Sequence, residues 1–249
     1  MLRQKGHKAE LVLLQRSYLG EIQKQSPSPL VFSHALVGIE PAEPGQNWFF
    51  LDPTLRMVKP GVLAPHSCER PALVVRQNGP AEWLRLPRAE SAKLTYEFDL
   101  KADQLGRLEG WVTVTADGYH AGQLGDELPL KPDRDSYVSL LASKLDSFNN
   151  INSVIDVKVP ESWVAGQEMA VRGYVAMTGL RAEKDEPFQV WLPGYYATSI
   201  NINTTHQNRK APVFLSRGTT EVIYKIEAPK TWRLQEAVSY THLTLPTRS

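Results

Sequence analysis

Short apolar runs recur along the chain between polar and Pro/Gly-rich turns, and two of them alternate with a period of two. That is the pattern of half-buried strands. "KAELVLLQ" (8–15) reads as a buried strand, and residues 1–7 before it as the end of a helix closed by Gly6. "SYLGEIQKQSPSP" (17–29) is a polar connection. Strands are predicted at about 31–40 and 47–52, joined by "PAEPGQN", then at 72–75 and 82–86 across the turn "RQNGPA". Past Pro87 the alternation is cleaner. Leu94, Tyr96, Phe98 and Leu100 share one face of "KLTYEFDL" (93–100), and "GRLEGWVTVTADG" (106–118) repeats the pattern with Leu108, Val112 and Val114. Together they predict an antiparallel hairpin with one wet face. Helical spacing follows over 119–127 and 134–147, where Tyr137, Leu140, Leu141 and Leu145 form a stripe and Lys144 is its polar exception. Strands return at 152–160, 168–177, 188–193 and 220–229. The fold class predicted is α+β, dividing near residue 88 into a mixed N-terminal part and a mostly-β part with a helical insert.

Composition narrows the function. The 249 residues carry 28 basic and 27 acidic side chains, mixed along the chain, with a net charge of +1. Nothing in that balance points to nucleic acid. No run approaches the length of a membrane-spanning segment, and the opening "MLRQKGHKAELVLLQ" lacks the apolar centre of a signal peptide. The single cysteine, Cys68, can form no internal disulfide, and no Cys/His spacing suggests zinc. There is no P-loop, GxGxxG or HExxH. Trp48, Trp83, Trp111, Trp163, Trp191 and Trp232 are scattered among strands, which favours packing over a carbohydrate-binding face.

The chemistry-bearing stretch is "FSHALVGIEPAEPGQNWFFLDPT" (32–54). A hairpin centred on residue 43 puts His34 opposite Asp52, and one centred on residue 44 makes them diagonal neighbours. In both cases the shared parity puts them on one face. A carboxylate there can accept from one imidazole nitrogen and leave the other free for chemistry. The plainer reading is a strand histidine and an aspartate that opens an Asp-Pro turn.

"SHALVGIEP…GQNWFFLDPT" resembles the His and Asp segments of bacterial transglutaminase-like proteins of the papain-like cysteine superfamily, of the type flanked by two uncharacterised β domains. "GVLAP…CERPALVV…GPAEWLRLP" is similar to that family's exit from its core, and "NRKAPVFLSRGTTEVIYKIEAP" (208–229) to the start of its C-terminal β domain. The resemblance implies His34 as general base and Asp52 as its orienting carboxylate. A Cys thiolate would attack the amide of a peptide or protein substrate to form a thioester, with no cofactor and no metal. It implies residues 1–87 as the C-terminal part of the core, an antiparallel sheet remnant. Residues 88–206 become a β-rich region with the helical insert, and 207–236 the start of a β-sandwich domain. It also implies a periplasmic or cell-envelope setting.

In that family the cysteine precedes the histidine at a helix N-terminus. The chain's opening resembles the tail of that helix, so the nucleophile is expected before Met1 and the chain as given is expected to be inactive. Cys68, in "APHSCERP", has no Gly-rich oxyanion turn and reads as a free thiol in a loop. The tail "VSYTHLTLPTRS" (238–249) resembles translated sequencing-adapter sequence, so residues 237–249 are set aside from fold reasoning. A second reading is a noncatalytic envelope protein whose β domains contact peptide or glycan.

Overall fold

The computed structural model describes residues 2–20, 22, 28–43, 45–146, 148, 151–159, 163–177 and 219–230. Among these residues the fold is α+β, with two five-stranded sheets and two α-helices. The predicted strand at 188–193 and the tail at 237–249 lie outside the described residues.

The first sheet has the order β3-β2-β1-β4-β5, with every neighbouring pair antiparallel. Its strands are β1 (Ala9–Leu14), β2 (His34–Ile39), β3 (Phe49–Leu51), β4 (Pro71–Val75) and β5 (Glu82–Arg85). Val12, Leu14, Leu36, Phe50, Ala72 and Val74 fill one face, covered by Leu63 and Cys68 from the connection after β3. β1 was predicted to be buried, but it is buried on that face alone, and Leu11 on the opposite face is exposed. The predicted helix end at 1–7 is a single 3-10 turn, Arg3–Lys5, closed as predicted by Gly6 in the left-handed region at φ 86°.

The second sheet has the order β10-β6-β7-β9-β8. It comprises β6 (Lys93–Ala102), β7 (Leu108–Ala116), β8 (Ile151–Lys158), β9 (Met169–Met177) and β10 (Thr219–Glu227). The inward residues Tyr96, Phe98, Val112, Val114, Val171 and Val175 pack against α1 (Gly118–Glu127) and α2 (Arg134–Leu145). Leu140, Leu141 and Leu145 of the predicted stripe are buried there. Asp133 caps α2, accepting from Ser136 N at 2.9 Å while its own N–H donates to Ser136 Oγ at 3.4 Å. Such a cap stabilises a helix by about 1 kcal/mol. β10 pairs in parallel with β6, and Tyr224 stacks on Phe98 with 4.8 Å between ring centroids. The strand assigned from sequence to a further β domain therefore lies at the edge of this sheet. Among the described residues no helix is long and apolar enough to cross a membrane.

The two sheets are joined by the segment that follows β3. Arg56 donates to the carbonyls of Gly125 at 3.2 Å and Leu128 at 2.8 Å, and the Met57 N–H donates to Asp126 Oδ1 at 3.1 Å. Val58 lies directly over Gly122, where an added Cβ would sit 2.1 Å from Val58 Cγ2 and 3.1 Å from its Cα. Glycine at this helical position costs about 1 kcal/mol of helix propensity relative to alanine, and the close approach of Val58 explains it. Gly122→Ala is therefore expected to lower the unfolding free energy by about 1–3 kcal/mol in chemical denaturation, despite its better helix propensity. Adding Val58→Ala should recover part of that loss, since both side chains compete for one space.

Candidate active site

The β2–β3 register decides how His34 meets Asp52. Gly38 faces Phe50 and Val37 faces Leu51, so the hairpin is centred on residue 44 and the two are diagonal neighbours. His34 opens β2 and Asp52 follows β3 directly. Their side chains are 7% and 1% exposed, and His34 Nε2 lies 2.7 Å from Asp52 Oδ2.

The direction of that hydrogen bond follows from the other side of the ring. Nδ1 lies 3.0 Å from an Arg16 Nη2, and a guanidinium can only donate. Nδ1 is thus the acceptor, and the ring proton of the neutral imidazole sits on Nε2 and points at Asp52. Arg16 belongs to the same face for a reason of parity. Leu14 pairs with His34, and Arg16 lies two residues further on. Its backbone N–H donates to Ser33 Oγ at 3.0 Å, and the N–H of Ser17 donates to the His66 carbonyl at 2.9 Å. The buried Arg70 donates from Nε to the Gln15 carbonyl at 3.3 Å and from an Nη to the Gly20 carbonyl. The loop carrying Arg16 is therefore clamped from both sides.

Asp52 serves two structures at once. Oδ2 takes the imidazole, while Oδ1 accepts from Thr54 Oγ1 at 2.6 Å and Thr54 N at 3.0 Å. The Asp-Pro turn and the His–Asp pair, separate readings of the sequence, thus coexist on one carboxylate. Burial alone would push this carboxyl up. The bonds from Thr54 and His34 outweigh that and hold it below the usual carboxylate range. His66 and Tyr119 lie within electrostatic reach of Arg16 and Asp52. Burial lowers the His66 pKa, with the positive charge of Arg16 adding to it, so His66 favours its neutral form. Burial raises the Tyr119 phenol, opposed by Arg16 and reinforced by Asp52.

Cys68 is a poor nucleophile. Its thiol is buried in the core of the first sheet, with Sγ 3.4 Å from the Ala64 carbonyl. Burial, with Glu69 and Glu90 adding to it, pushes the thiol up to about 11, so it stays protonated at neutral pH. The rings of the described tryptophans are engaged, Trp83 tilted against Phe32. Lys158 and Arg172 lie over Trp111 at 4.7 and 4.9 Å, Trp48 stacks on Phe50, and Trp163 packs against Gly125. Trp191 and Trp232 lie outside the described residues. Among the described residues no group of three His, Cys, Asp or Glu side chains could hold a metal ion.

Arg16, Thr54, His66 and Tyr119 are the neighbours that sequence reasoning missed. Parity along β1 carried a signal for Arg16, and the "DPT" turn carried one for Thr54. The other two come from segments without a period. No protein-family model, curated protein or solved structure matches the chain.

The low carboxyl of Asp52 has a sign that can be measured. A group ionised more readily in the folded state adds stability above its ordinary pKa, and the addition disappears as pH falls through the lower folded value. Unfolding free energy should therefore decline below about pH 4 in the native protein. Asp52→Asn should lose on the order of 2 kcal/mol at neutral pH and show a flatter acid limb in the same titration.

Proposed function

We propose that His34 and Asp52 are the base and orienting carboxylate of a transglutaminase-like Cys–His–Asp centre acting on peptide or protein amides. The observation that carries this reading is the buried 2.7 Å contact from Nε2 to Asp52, which leaves Nδ1 as the nitrogen able to accept a proton. In the reaction, Nδ1 takes the thiol proton as sulfur attacks the amide carbonyl, and returns it to the leaving amine. Asp52 stabilises the imidazolium formed in between. Water or an amine then resolves the thioester. Cys68, buried and protonated, does not supply that sulfur, so this reading requires a further cysteine.

Arg16 at Nδ1 favours a second reading, a noncatalytic binding protein in which both ring nitrogens serve structure alone. Iodoacetamide labelling of a chain extended through the upstream reading frame separates the two. The enzyme reading expects one rapidly alkylated cysteine other than Cys68, formation of an acyl-thioester with peptide amides, and a fall of about 10²–10⁴ in turnover for His34→Ala. An upstream frame with no cysteine, or turnover unchanged in His34→Ala, removes that reading.

A further inference from the structure

Arg16 is engaged in an unusual way for a half-buried cation. Its polar side-chain partners among the described residues are the His34 imidazole at 3.0 Å and the Tyr18 hydroxyl at 3.2 Å, neither of them a carboxylate. Its Nε is buried with no hydrogen-bond partner. An orphaned buried donor costs about 1–3 kcal/mol, so this guanidinium is held in place with part of its fork unused. The backbone of residues 15–20 is held by Arg70, Ser33 and His66, which fixes where the Arg16 side chain starts beside His34. Tyr18 is exposed, and its ring meets the edge of His66 with 5.7 Å between centroids. The Tyr18 phenol and the His66 imidazole, the latter kept neutral by burial, therefore stand beside the cation.

We propose that Arg16, with Tyr18 and His66 beside it, is a carboxylate subsite selecting acidic ligands that carry a carboxylate next to the amide presented to His34. This deepens the reading of the site as an amide-acting centre and rests on it for the identity of the second group. A planar carboxylate matches the guanidinium fork with two parallel N–H···O bonds, which an imidazole nitrogen cannot. Taking the Nε edge of the fork would satisfy the orphaned donor and draw the guanidinium off Nδ1. Binding of the acidic group would thus free the nitrogen that has to accept the thiol proton. The subsite would therefore both choose the substrate and unmask the base.

The test uses this chain with ¹³C/¹⁵N-labelled histidine, titrated with N-acetylglycine and with its neutral counterpart N-acetylglycinamide. The expected result is a saturable movement of the His34 and His66 ring signals with N-acetylglycine, at a dissociation constant in the millimolar range, and no saturable response to the amide. Arg16→Met should abolish the response while the remaining spectrum keeps its dispersion. Arg16→Lys, which keeps the charge without the fork, should weaken it several-fold. Equal responses to both probes, or an unchanged response in Arg16→Lys, overturns the proposal. The outcome is separable from the enzyme reading. A carboxylate response with no thioester formed in the extended chain leaves the subsite standing. Amide turnover indifferent to a neighbouring carboxylate removes the subsite and leaves the enzyme.

Discussion

A carboxylate can be buried only when its oxygens are fully engaged, and in this protein that requirement falls on Asp52. Its neighbours are arranged to meet it. The β2–β3 register brings the His34 ring to one oxygen, and the turn after β3 brings two donors of Thr54 to the other. The same turn launches residues 56–58, which fasten the first sheet to α1. Loss of the carboxylate's partners would thus strand a buried charge at the joint between the two halves of the fold.

The arrangement also orders the chemistry. Because Asp52 holds the Nε2 proton, Nδ1 is the nitrogen of His34 left to accept, and its partner there sets what the ring can do. Here it is Arg16, kept in position by a loop that Arg70 pins through backbone carbonyls. Cys68 is excluded from the same chemistry by its position in the hydrophobic core, where the thiol is worth more as a small apolar group than as a thiolate.

Much of this was legible from sequence where a period existed to read. The alternation in 93–100 and 106–118 located β6 and β7, the stripe through Leu140, Leu141 and Leu145 located α2, and shared parity put His34 and Asp52 on one face. The choice between hairpin centres 43 and 44 was not legible, since a seven-residue Pro/Gly connection, "PAEPGQN", closes either register. The one-sided burial of β1 was hidden because Leu11 and Leu13 are as apolar as the residues that face the core. The parallel pairing of β10 with β6 joins strands more than a hundred residues apart, and strand alternation carries no information about partners. His66 and Tyr119 come within electrostatic reach of Arg16 and Asp52 only through the fold, so no spacing in the chain announces them.

The most direct test of the site is the proton itself. A long-range ¹H–¹⁵N correlation spectrum of the chain at neutral pH reports which imidazole nitrogen of His34 carries hydrogen. A single tautomer protonated at Nε2, reverting to a mixture in Asp52→Ala, is the predicted result. A ring protonated at Nδ1, or one whose tautomer is indifferent to loss of Asp52, would contradict it.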